Sequence, residues 1–165
     1  MEPITAEQVR ASFVNTTRSQ LKKLTVPADL ATERWDDLDF LGWRDPKAPQ
    51  QGYLVAPRDG GLTGVALRTQ EPSRRDPKAA MCSLCLTVHP MADVALFAAR
   101  RSGPGGRRGD TVGTYICANL RCPLYVRGVL TSEAARPMGE TLSVEAKIIR
   151  LRANVDRFVD RVLED

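Results

Sequence analysis

The sequence predicts an α+β protein: a small helical N-terminal segment, β-hairpins, a cysteine-bearing central module and a long C-terminal helix. Three observations carry that prediction. Short apolar runs are separated by Asp-Gly-Gly and other Gly- or Pro-rich turns, the pattern of hairpin strands. Four cysteines fall in two close pairs in the middle of the chain, Cys82 with Cys85 and Cys117 with Cys122. Near the end, Val144, Ile148, Leu151, Val155, Phe158 and Val162 step by four and three, which puts them on one stripe of a helix. The length of 165 residues suits a single domain or a small domain with a helical appendage. With 42% hydrophobic and 27% charged residues the chain is too rich in aliphatics for wholesale disorder and too varied for a fibre. No uncharged apolar run approaches the roughly 18 residues a membrane span needs. The start, Met-Glu-Pro-Ile-Thr, lacks the basic residues and apolar core of a signal peptide, so a cytoplasmic protein without a membrane partner is expected.

Each element has its own signal. Ile4, Thr5, Gln8 and Val9 form a capping box with a hydrophobic staple: Thr5 is the N-cap, Gln8 reaches back to it, and Val9 packs on Ile4. Val9 and Phe13 then share a face, and Leu21 and Leu24 continue the apolar stripe until Val26-Pro27 ends it. Between Leu30 and Trp43, Trp35, Leu38, Phe40, Leu41 and Trp43 interleave with Asp36, Asp37 and Asp39. Both tryptophans lie there, and large aromatics concentrated in one stretch anchor a core. Residues 53–56 and 62–67 read as strands of a hairpin turning at Asp59-Gly60-Gly61, because glycine accepts the positive φ of a tight turn. Residues 70–80, with Pro72, Pro77 and Arg74-Arg75-Asp76, read as an exposed linker. Residues 94–98 and 112–116 are two further strands, joined by a mobile Gly-rich loop that carries Arg100, Arg101, Arg107 and Arg108. Ser143 caps the final helix, whose stripe suits packing on its own domain better than a coiled coil.

These signals divide the chain into an N-terminal helix and hairpin segment (1–72), a central module (73–130) and the C-terminal amphipathic helix (131–165). Charge divides with them. The three segments carry nine, nine and six Lys/Arg against ten, three and seven Asp/Glu, so the net charge of +4 arises in the central module. A basic module between neutral flanks points to an anionic partner, either nucleic acid or an acidic protein face.

The cysteines carry the chemistry. A C-x-x-C turn brings two thiolates to one tetrahedral ion, and the Cys117/Cys122 pair, with 31 residues between Cys85 and Cys117, completes four ligands. Four thiolates leave no open position, so the ion is structural. Zinc is expected, and iron is chemically possible in the same set. Thiols of a chain with no export signal stay reduced, which argues against disulfides, and the redox use of Cys82 and Cys85 lacks a βαβ context. His89, the one histidine, could replace a cysteine or orient a thiolate from outside the set; with four cysteines sufficient, a non-ligand role is expected. The glycines of the central loop match neither phosphate-binding pattern, and a Cys-His nucleophile needs a thiolate free of metal. No enzyme activity and no small-molecule substrate are expected.

A knuckle, a hairpin, and then a turn and short helix carrying the second pair is the order of a treble-clef zinc finger. Met81-Cys82-Ser83-Leu84-Cys85, the Val94-Ala95-Leu96-Phe97 strand, and Gly113-Thr114-Tyr115-Ile116-Cys117 with Cys122 resemble the C-terminal treble-clef zinc finger of the elongation factor G-binding proteins. That family includes the fusidic-acid-resistance proteins. The resemblance spans about residues 35 to 130 and takes in Phe40-Leu41-Gly42-Trp43-Arg44-Asp45-Pro46. It implies one structural zinc per chain held by Cys82, Cys85, Cys117 and Cys122, and binding to elongation factor G. It also implies a factor-facing surface near Phe97, Arg100, Arg101 and Tyr115, which Arg107 and Arg108 join by charge. The function expected is that of a non-enzymatic translation accessory protein acting on elongation factor G, the ribosome, or both. Two alternatives stand beside it: an RNA-binding zinc protein whose Arg/Gly-rich loop neutralises phosphates, ribosomal RNA included, and a zinc-stabilised scaffold with no translation partner.

Overall fold

Thr5 and Thr17 open the first two helices by the same device. In the computed structural model, which describes residues 1–69, 79–134 and 140–164, Thr5 and Gln8 complete the capping box of α1 (Ala6–Ala11). Thr17 and Gln20 repeat it for α2 (Arg18–Lys23). The stripe expected to run on from Val9 to Leu24 is therefore broken. Between the helices the chain runs alongside a strand: Gly64 N donates to Ser12 O at 2.9 Å and Val14 N to Gly64 O at 3.0 Å. Backbone pairing with the sheet outweighs continued helix there.

Five antiparallel strands make the main sheet in the order β1-β2-β3-β6-β7: β1 (Leu41–Asp45), β2 (Ala48–Arg58), β3 (Gly61–Thr69), β6 (Val94–Arg100) and β7 (Thr111–Cys117). The β2–β3 hairpin turns at Asp59 and Gly60, both at positive φ (50° and 74°), as the Asp-Gly signal foretells. The strands β4 (Ala79–Met81) and β5 (Val88–Pro90) pair as a separate ribbon. Of the expected linker 70–80, only Ala79 and Ala80 lie among the described residues, and they belong to β4.

The pairing of β3 with β6 is short, from Leu67–Ala99 to Thr69–Phe97. Beyond it, the side chain of Asn15 stands in for a strand. Its Oδ1 accepts from Ala66 N at 2.8 Å, and its Nδ2 lies 3.0 Å from both Ala66 O and Arg100 O.

Alternation along the strands sends side chains to two buried clusters. One face holds Leu54, Val65, Phe97 and Ile116 against Leu151, Val155, Phe158 and Val162 of α5 (Val144–Leu163). The other holds Leu41, Trp43, Tyr53 and Val55 against Ile4, Val9, Leu24 and Trp35, so both tryptophans are core as expected. Ser143 Oγ caps α5 at Ala146 N, 3.2 Å away, and the helix packs on its own domain. Arg58 from the hairpin reaches Asp156 at 3.1 Å and Asp160 at 2.6 Å. Among the described residues, no helix is long and apolar enough to cross a membrane.

Across the first boundary of the 1–72, 73–130 and 131–165 division β3 pairs with β6, and one buried cluster draws on residues of all three segments. One expectation is corrected here. The Arg100–Asp110 stretch is not a loose loop: it contains α3 (Gly103–Arg108), with Gly105 and Gly106 buried. A Cβ on Gly106 would overlap the carbonyl of Arg101, so glycine permits a close approach there. Arg101 N donates to Asp110 O at 3.0 Å and Asp110 N to Gly105 O at 3.1 Å, which closes the turn.

Candidate metal centre

Two tight turns deliver the four sulfurs. In the first, Leu86 N donates to Cys82 O at 2.9 Å and Cys82 N to Thr87 O at 3.0 Å, with Leu86 at φ 60°. Ser83 N donates to Tyr115 O at 2.8 Å, tying this knuckle to β7, the strand that ends on Cys117. In the second turn Leu120, at φ 58°, donates its N–H to Cys117 O at 2.8 Å. Helix α4 (Cys122–Val126) then presents Cys122, with Pro123 suited to its first turn because that position needs no N–H bond. The second knuckle rests on β1 at Gly42, where a Cβ would overlap Leu120 O.

The result is a compact donor set. All four Sγ atoms lie within 4.8 Å of one another and all four residues are buried. Cys82 and Cys122 are 3.6 Å apart, and Cys85 and Cys117 are 3.5 Å apart. A disulfide needs about 2.05 Å between sulfurs, whereas a tetrahedron with metal–sulfur bonds of about 2.3 Å has edges near 3.8 Å. Packed this closely, the thiols compete for protons. Hydrogen bonds with Cys117 and then Cys122 pull Cys82 and Cys85 down. Burial pushes Cys122 up, and Cys117, drawn down by Cys122, is held up overall by its bonds to Cys82 and Cys85. A dication coordinated by all four removes that competition, so the set fits zinc.

Carboxylates from the aromatic segment clamp both ends of α4. Glu33 meets Arg121, just before Cys122, at 2.7 Å. The hydrogen bonds from Arg121 and Arg34 hold its carboxyl below the usual range, although burial acts to raise it. Asp39, its side chain 1% exposed, accepts from Arg127 at 2.6 Å and from Arg152 of α5 at 2.8 Å. Sequence reasoning missed these anchors. The available signal was three aspartates set among aromatics, of which only Asp39 is buried.

The surface residues expected from the sequence divide. Phe97 is corrected: it is 0% exposed, packed in the sheet core with Arg44 over its ring at 5.9 Å, and cannot meet a partner. Arg101 is engaged internally, donating to Arg161 O at 2.7 Å and Glu164 O at 3.1 Å in the last turn of α5. Arg100, Arg107, Arg108 and Tyr115 are exposed. Tyr115 pairs across the ladder with Leu96, and the two are 50% and 49% exposed.

A family model, the FBP C-terminal treble-clef zinc-finger, matches residues 8–162. A solved structure of the fusidic acid resistance protein FusC is similar to this chain at 17% identity and a TM-score of 0.47, over 88% of this chain and 56% of that one. The chain thus spans little more than half the length of that structure. No curated protein matches it. The family match and the four clustered cysteines together account for one structural zinc ion.

Proposed function

The chain belongs to the FBP C-terminal treble-clef zinc-finger family, and from that premise we propose that it is a non-enzymatic translation accessory protein of the cytoplasm that binds elongation factor G, free or on the ribosome. Cys82, Cys85, Cys117 and Cys122 hold its zinc, which orders the module and takes no part in chemistry. Family membership is the observation that carries this reading, through the elongation factor G-binding proteins its motifs resemble. The surface supports it. The N-terminal segment covers the outer face of β1 to β3, while on β6 and β7 Leu96 and Tyr115 lie side by side and exposed. Arg100 lies at an exposed position of the same face, and Arg107 and Arg108 are exposed on α3, the helix that joins β6 to β7, where Arg108 also meets Asp110 at 3.7 Å. An apolar centre with a cationic rim suits a protein partner with acidic groups at its edge.

Calorimetric titration of zinc-loaded chain with purified elongation factor G tests the proposal. A saturable complex that survives nuclease and moderate salt is the expected result. Binding that disappears with nuclease and falls steeply with salt replaces this reading with RNA recognition. No binding to factor, ribosome or RNA leaves a zinc-stabilised scaffold.

A further inference from the structure

His89 is a buried polar side chain beside the metal centre that the proposed function leaves unused. It lies in β5 and is 0% exposed. Its Nε2 is 3.3 Å from Cys117 Sγ. The Tyr125 ring meets it edge-on, with centroids 4.6 Å apart, and Asn119 Nδ2 donates to the Tyr125 hydroxyl at 3.0 Å. The imidazole is thereby clamped between the β4–β5 ribbon and the second knuckle. Its Nδ1 is buried with no hydrogen-bond partner.

We infer that His89 is a positioning residue of the zinc centre: a neutral imidazole whose Nε2–H donates to the Cys117 thiolate and slows release of the metal. A metal-bound thiolate carries no proton, so it can only accept, and the nitrogen facing it must supply the hydrogen. A neutral ring has a single N–H, which leaves Nδ1 as a bare lone pair. That assignment agrees with the unpartnered Nδ1, because a buried acceptor tolerates a missing partner better than a buried donor does. There is also a charge for the donor to serve. Four thiolates around a dication leave two net negative charges in a site whose residues are all buried. Among the described residues, His89 is the one group besides the cysteines themselves that hydrogen-bonds a cysteine sulfur. Donation to Cys117 withdraws charge from that sulfur and fixes its orientation toward the metal.

The inference rests on the four-cysteine centre and not on the partner, so failure to bind elongation factor G leaves it untouched. Metal analysis comes first; one zinc per chain separates a failure of the centre from a failure of this role. The chain is then loaded with cadmium-113 and its histidine side chain is followed by nitrogen-15 NMR. The expected spectrum shows a neutral Nε2–H ring, a slowly exchanging Hε2, and a small coupling between that proton and the metal through the sulfur. An Nδ1–H tautomer, or a direct one-bond nitrogen–cadmium coupling that makes His89 a ligand, overturns the inference.

Zinc transfer to a chromogenic chelator gives the second arm. The glutamine amide reaches the place of Nε2 while asparagine reaches only that of Nδ1, so His89→Gln should release zinc at nearly the unmodified rate. His89→Asn and His89→Phe should release it about 10- to 100-fold faster. Equal rates for the Gln and Phe variants would reduce His89 to a packing residue. If the Phe variant fails to fold, the cadmium spectrum of the unmodified chain still decides.

Discussion

Gly42 shows how a single missing side chain sets the metal centre. A Cβ there would overlap the Leu120 carbonyl and lie 2.9 Å from both Leu120 Cβ and Phe40 Cε2, which forces the second knuckle away from β1. Gly42→Ala should therefore cost about 1–3 kcal/mol of stability and weaken zinc retention in chelator competition. Gly61→Ala is the control, because its nearest contact would be Arg58 O at 3.8 Å. Phe97 and Tyr115, expected together at a surface, should behave oppositely. Phe97→Ala should destabilise by about 3–5 kcal/mol in a denaturant titration. Tyr115→Ala should leave stability within about 0.5 kcal/mol and speed dissociation from elongation factor G in surface-based kinetics. The four cysteines were legible as one donor set because their pairwise spacing is a local property of the sequence. The fate of Phe97 was not legible. Val94-Ala95-Leu96-Phe97-Ala98 is apolar on both faces, so only the register with β7 and the docking of α5 decide which side is core.

At the scale of elements, the four arginines expected to act as one charged loop separate by the company they keep. Arg101 joins α3 to the end of α5 through the carbonyls of Arg161 and Glu164, and Ser102 N donates to Val162 O at 2.7 Å. Arg101→Ala should fray that helix end, with a loss of about 1–3 kcal/mol in thermal unfolding and faster amide exchange over residues 159–164. Replacing Arg107 and Arg108 together should leave the melting temperature unchanged and slow association with the partner more than it speeds dissociation. Helix α5 could be read in advance because a stripe at period 3.6 with a serine cap is written locally. Helix α3 could not. Gly103-Pro104-Gly105-Gly106 has the composition of a loop, and only the approach of Gly106 to Arg101 makes a helical turn the solution. The break between α1 and α2 has the same origin, since Gly64 supplies a backbone partner that no local pattern announces.

Over the whole molecule, zinc and sheet share a core, so loss of the metal should be felt far from the knuckles. Zinc-binding free energy in such a module is largely folding free energy. The sequence division implies that chelation loosens the central module more than the flanks; the common cluster implies that Leu54, Val65, Leu151 and Val155 lose protection with it. Hydrogen exchange with and without chelator decides, and protection retained at Leu54 and Leu151 would show a separable centre. The seam between β3 and β6 has a different consequence. Residues 12–15 occupy the part of β3 that β6 leaves unpaired, with backbone bonds to Gly64 and the Asn15 amide on Ala66. An open strand edge recruits whatever extended chain arrives next. A chain shortened by its first 17 residues should scatter light more strongly than the full chain as concentration rises. The N-terminal arm is thus a tethered surrogate strand, which fills from within the same chain the stretch of β3 that β6 leaves open.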